Sequence, residues 1–221
     1  MVDWQAIDTV LLDMDGTLLD LHFDNHFWLQ HLPKRYSELK AMPYDIAKDL
    51  LYGKIMDTKG SLDWYCLDYW QAELDVDIVG LKDEIADLIA PRPFVIEFLQ
   101  ALKAANKQVI LVTNAHRAGL DLKMKKVDLR PWFDAMVASH DYREPKESAK
   151  FWQQLRQQFP FEPNKTLFID DTENILASAE AFGIKHLLTL SQPDSKNPCR
   201  SDLRYPQFHH FDEIMPPVEG E

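Results

Sequence analysis

The chain has 221 residues, enough to bury one sizeable hydrophobic core or a core carrying an insert. Its 46% apolar content is that of an ordered globular protein, so disorder is excluded as the default. The formal charge of -12, from 36 acidic and 24 basic residues, speaks against binding nucleic acid polymers, which requires positive patches, but leaves room for a small anionic substrate.

In chain order, the opening MVDWQAIDTV carries two acids and no long apolar stretch, so neither a signal peptide nor a membrane span is expected. Val10 to Leu12 reads as a buried strand, and Asp13-Met14-Asp15-Gly16-Thr17 as two carboxylates followed by a tight turn. A buried pair of like charges is costly without a cation, and a divalent metal is the simplest remedy. Residues 24 to 90 show apolar and aromatic positions at helical spacing with no β alternation. They predict three or four helices broken at sites such as Lys59-Gly60-Ser61. Cys66 and Cys199 make neither a metal-site spacing nor a disulfide framework, and a reduced cytoplasmic protein is expected.

Pro91 and Pro93 close the helical stretch. A helix from Phe94 to near Asn106 is expected, then a strand Val109 to Val112 ending on Thr113-Asn114, and a helix Leu120 to Val127. Ala135 to Ala138 predicts a short strand, Lys146 to Phe159 a helix, and Thr166 to Ile169 a strand ending on Asp170-Asp171. A helix Ile175 to Phe182 stopped by Gly183 and a strand His186 to Leu190 follow, and from Ser191 the chain reads as a wrapping tail anchored by Leu203, Phe208, Phe211 and Ile214. Strands separated by helices predict an α/β fold: a Rossmann-like parallel sheet with helices on both faces and an inserted α-helical cap.

In a parallel sheet the strand ends lie on one edge, so Asp13, Asp15, Thr113, Asn114, Lys146, Asp170 and Asp171 are expected to converge in one crevice. Carboxylates, a hydroxyl, a lysine and a hard metal are the parts needed to move a phosphoryl group.

DMDGTLLD, LVTNA, Lys146 and FIDD resemble the four motifs of the haloacid dehalogenase-like hydrolases, in the phosphatase branch with a helical cap. The resemblance implies a core of residues 1–17 and 91–221 and a cap of 18–90. It implies Asp13 as the nucleophile that forms an aspartyl-phosphate, and Asp15 as the general acid and base, its backbone carbonyl also binding Mg²⁺. Gly16 and Thr17 would complete the loop and bind substrate, Thr113 and Asn114 would meet the phosphate, and Lys146 would steady nucleophile and phosphoryl group. Asp170 and Asp171 would be acidic metal ligands beside Asp13. One departure stands out: members commonly carry proline after the lysine, whereas this chain reads Pro145-Lys146-Glu147.

The stretches WQxIDTVLLDMDGTLLDLxFDNxFW, LDWYCLDYW and KTLFIDDTENIL are similar to those of the bacterial nucleotidases acting on GMP and IMP. That implies a small phosphate monoester as the partner, with no nucleic acid polymer and no membrane. Asn25 and Trp28, near the entry of the insert, are the candidate contacts for the leaving group; of Trp64, Tyr65, Tyr69 and Trp70, most are expected to pack the cap. A sugar-phosphate phosphatase, a phosphomutase and a catalytically inactive interaction protein stay open as alternatives, as does the oligomeric state.

Overall fold

Short apolar runs make the sheet, and their burial pattern shows why they carry no polar face. A computed structural model of the protein describes residues 2–217. Its strands are β1 (Thr9–Leu12), β2 (Gln108–Thr113), β3 (Ala135–Ala138), β4 (Thr166–Ile169), β5 (His186–Leu190) and β6 (Gln207–Phe208), all parallel in the order β3-β2-β1-β4-β5-β6. In β1 the side chains alternate between two layers: Val10 and Leu12 join one apolar cluster while Leu11 joins the other.

The helices between β1 and Pro91 are α1 (His22–His26), α2 (Leu32–Leu39), α3 (Tyr44–Thr58), α4 (Leu62–Tyr65), α5 (Leu67–Leu74) and α6 (Ile78–Asp83). The sheet's own helices are α7 (Val95–Ala104), α8 (Arg117–Lys126), α9 (Ser139–Tyr142), α10 (Ala149–Gln158) and α11 (Glu173–Phe182). Helices α7 and α8 cover one face of the sheet, with Phe98, Leu99, Leu120 and Met124 facing inward. Helices α10 and α11 cover the other with Phe151, Trp152, Leu155 and Leu176. The π turn after α1 and helices α2 to α6 gather a third cluster of their own around Phe27, Leu51, Leu67, Trp70 and Ile78, while Phe23 of α1 joins the first cluster. Among the described residues no helix is long and apolar enough to cross a membrane.

Several sequence expectations need correction. The insert holds six helices rather than three or four, because Cys66 separates α4 from α5 and a wide π turn, Phe27–His31, joins α1 to α2. The π turn has a local cause: Pro33 has no N–H to return to the preceding turn, and the Leu32 N–H reaches back five residues to the Phe27 carbonyl. Helix α10 starts at Ala149, not Lys146. The Ser148 side chain caps it by accepting from the Lys150 N–H, and the Lys146 N–H is instead bonded to Asn114. The tail is more than a wrap, since it adds β6 to the sheet and seats Phe211, fully buried, against Phe98 and Phe208 at ring separations of 4.8 and 5.1 Å.

This seating makes the tail part of the main core. Phe211→Ala is expected to cost about 3–5 kcal/mol, read as a lower urea midpoint at unchanged slope, whereas a loss under about 1 kcal/mol would make the tail peripheral.

Candidate active site

The strand order reverses direction between β1 and β4, the place in such a sheet where a crevice opens beyond the strand ends. The registers put Leu12 opposite both Leu111 of β2 and Ile169 of β4, so Asp13 and Asp170 leave the sheet side by side, with Thr113 one residue further along at the end of β2. Asp13 extends the ladder by one bond, its N–H donating to the Ile169 carbonyl at 3.0 Å.

Lys146 reaches this edge from the loop before α10 and is 1% exposed, so its ammonium must find all its partners inside the protein. It finds three: Asp13 Oδ1 at 2.5 Å, Asp170 Oδ2 at 2.7 Å and the Val112 carbonyl at 3.1 Å. Its backbone is held as firmly. The Lys146 N–H donates to Asn114 Oδ1 at 2.9 Å, and its carbonyl accepts from the Trp152 indole at 2.9 Å. Asn114 in turn donates to Glu147 at 3.0 Å, whose other oxygen accepts the Tyr65 hydroxyl of α4 at 2.9 Å. Thr113 Oγ1 accepts the Ala115 N–H at 3.0 Å, which leaves its own proton to give.

Oxygens of Asp13, Asp170 and Asp171 lie within 4.8 Å of one another. Three carboxylates against the single ammonium of Lys146 leave an excess of negative charge, and an all-oxygen donor set of this kind suits a hard divalent cation. The carboxyls register that excess. Burial first, then the charges of Asp170 and Asp15, push Asp13 up to about 7 despite Lys146. Burial and the Asp13 charge push Asp171 up to about 7, and burial, offset by Lys146 but reinforced by Asp171, pushes Asp170 up to about 6. Gly16 closes the turn at a φ of +84°, and a Cβ there would lie 2.7 Å from an Asp171 oxygen, so glycine is required twice over.

These groups open into a cavity of about 630 Å³ roofed by the first six helices. Asp13, Asp15, Thr113, Asn114, Lys146, Asp170 and Asp171 line its floor; Asn25, Trp28, Trp64, Tyr65 and Trp70 line its walls. The Asn25 amide is tied to Asp194 at 2.7 Å, and Trp28 packs edge-on to Trp70. Two residues expected at the substrate stand apart: neither Gly16 nor Thr17 is among the cavity-lining residues, and Thr17 is fully buried.

A family model described as haloacid dehalogenase-like hydrolase matches residues 7–183. The chain belongs to the haloacid dehalogenase-like hydrolases. It is 38% identical to the GMP/IMP nucleotidase YrfG of Escherichia coli (strain K12) over 215 residues, 97% of each chain. The crystal structure of a HAD phosphatase from Thermococcus onnurineus superposes with a TM-score of 0.79 at 19% identity, over 94% of this chain and 96% of that one. A putative beta-phosphoglucomutase from Thermotoga maritima does so at 0.69 and 18% identity, over 95% and 97%. These two structural likenesses concern the fold.

Within this haloacid dehalogenase-like site, several participants escaped the sequence reading. Glu147 is one, although its place after the lysine, where relatives commonly have proline, was a signal. Lys123 and Lys82 are others. Lys123 shares the buried face of α8 with Leu120 and Met124, and Lys82 follows Leu81 on α6; both are 3% exposed. A lysine at an apolar-stripe position is the trace they left. Arg200 of the tail, also missed, donates to the Asp171 carbonyl at 2.7 Å and steadies that strand end.

The raised carboxyls set a pH dependence. Asp13 and Asp171 hold protons more tightly in the fold than their ordinary value of 3.8, so the stability tied to them is whole below about pH 4 and is lost as pH rises through about 7. The melting temperature without divalent cations is expected to fall between about pH 5 and pH 8, and the increment on adding magnesium to grow over the same interval. Asp171→Asn should flatten both trends. An increment equal at both ends would refute the site.

Proposed function

We propose that the chain is a Mg²⁺-dependent phosphatase that hydrolyses purine nucleoside 5′-monophosphates, GMP and IMP, through an aspartyl-phosphate on Asp13. The observation that carries the chemistry is Lys146 seated between Asp13 and Asp170 on the floor of a closed-over cavity. The leaving group is inferred from the Escherichia coli relative, whose name states GMP and IMP and which matches along nearly the whole of both chains. We read residues 1–17 and 91–221 as the catalytic core and 18–90 as the cap, Met1 and residues 218–221 lying outside the described part. The separate apolar cluster running from Phe27 to Leu81 supports a cap within these bounds, while Leu18, Leu19, Phe23 and Ile89 near its ends join the main core, with Leu19 bridged to Pro91 at the crossing.

In this reading Lys146 favours the ionised form of Asp13 against the burial that opposes it, and aims its carboxylate at phosphorus. The new Asp13–phosphorus bond forms as the bond to the ribose O5′ breaks, and Asp15 gives its proton to that oxygen. Asp15, now a carboxylate, takes a proton from water as the water attacks phosphorus and releases Asp13. Thr113 and Asn114 donate to the phosphoryl oxygens, while Lys146, its three protons held by Asp13, Asp170 and the Val112 carbonyl, steadies them by its charge. Asp13, the Asp15 carbonyl and Asp171, with Asp170 beside them, would hold the Mg²⁺, which supplies positive charge against the phosphoryl oxygens. Burial raises Asp15 above the ordinary carboxyl value, helped by the neighbouring Asp24 and opposed by Lys123, which suits a group that must carry a proton near neutrality. Gly16 shapes the turn through its backbone, Thr17 is walled in beneath it, and Asn25 and Trp28 face the nucleoside.

A panel of phosphate monoesters with magnesium, repeated with chelator, tests this reading. Inorganic phosphate is expected from GMP and IMP in preference to sugar phosphates, and none with chelator. Asp13→Asn should abolish turnover, and Asp15→Asn should lower kcat roughly 10²–10⁴-fold. An isomerised phosphosugar as product, or full activity in either variant, would overturn it.

A further inference from the structure

Asp15 is separated from Asp13 by one residue, yet its side chain is held by a different lysine. Lys123 Nζ, from the buried face of α8, lies 2.6 Å from Asp15 Oδ1 and 2.6 Å from Asp24 Oδ2. Asp24 belongs to α1, whose Phe23 packs in the main core, and its other oxygen accepts at 2.7 Å from Lys82 of α6, in the helical layer. The four side chains form a row of alternating charge, Lys82-Asp24-Lys123-Asp15, closed over by Phe23, whose ring centre is 4.9 Å from Lys82 Nζ and 5.3 Å from Lys123 Nζ. The two ammoniums are buried and the two carboxylates partly so, which costs desolvation, and an arrangement that ends on one oxygen of one carboxyl calls for a reason beyond stability.

We propose that Lys123 is the positioning residue of Asp15: its ammonium, held from the other side by Asp24, occupies Oδ1 and thereby leaves Oδ2 as the oxygen that faces the leaving group. The inference rests on the reading of Asp15 as the general acid. The proton delivered to O5′ then sits on Oδ2, and passes to O5′ as the phosphorus–O5′ bond breaks with its electron pair staying on that oxygen. Since Asp24 is held in turn by Lys82 of α6, the row links the acid to the helical layer. Lys123 itself touches neither phosphorus nor the leaving oxygen.

General acid help matters for a poor leaving group and is dispensable for a good one, which supplies a readout that a merely structural lysine would not move. The measurement is release of the leaving group in the first turnover, on the magnesium-loaded full chain, from GMP and from p-nitrophenyl phosphate. Lys123→Met is expected to slow guanosine release by about 10–100-fold, and p-nitrophenolate release by less than about threefold. Lys123→Gln keeps one donor and should fall between wild type and Lys123→Met on GMP. Asp24→Ala, which frees Lys123 on the far side, should give the same contrast in the same direction.

Equal slowing of both substrates, no slowing of either, or failure of both Lys123 variants to fold would overturn the positioning role. Asp15→Asn run in parallel separates the two levels of inference. If it lacks the contrast, the acid assignment of Asp15 has failed; if it has the contrast and Lys123→Met does not, only the role of Lys123 has.

Discussion

The ammonium of Lys146 between Asp13 and Asp170 is the contact on which the site depends. Taking an ammonium and two carboxylates out of water costs several kcal/mol per ion, and their attraction repays this only where every proton finds an acceptor. Here the geometry meets that condition, with two carboxylates and the Val112 carbonyl around a side chain that is 1% exposed. Removal of one member of such a group typically costs about 3–5 kcal/mol, because the charge left behind stays buried. The same contact joins the ends of β1, β2 and β4 to the loop before α10, so the sheet edge and the chemistry share one fastening.

That fastening accounts for only part of the local charge. Asp171 adds a third carboxylate within reach of the other two, and burial first, then their mutual repulsion, raises the proton affinities of Asp13, Asp170 and Asp171. The cluster is therefore incomplete as a set of protein groups, and a hard divalent cation is the partner its oxygens fit. Gly16 lets the turn approach Asp171 closely enough for this crowding to occur.

The helical layer is coupled to the floor by polar contacts rather than by apolar packing alone. Tyr65 reaches Glu147 and through it Asn114 and the backbone of Lys146, while Asp24 reaches Lys123 and through it Asp15. Each of the two aspartates of the first strand end thus has its own lysine and its own connection upward. The aromatic content of the layer, dense around Trp28, Trp64 and Trp70, both fills its cluster and lines the cavity, so the same residues hold the roof together and shape the space for the leaving group.

Sequence by itself determined the parallel α/β sheet with helices on both faces, five of its six strands within a residue or two, and the set of polar strand ends that meet in the crevice. Those features follow from local physics: strands buried on both faces must be continuous apolar runs, and a run that stops at carboxylates marks its own end. Tertiary structure alone decided the start of α10, because a long-range bond from Asn114 holds the Lys146 N–H outside the helix. It decided β6 as well, a two-residue strand too short to show a period. Lys123 and Lys82 drew no role from the sequence, since a charge on an apolar stripe becomes legible only once the carboxylate that compensates it, up to 108 residues away, is brought alongside.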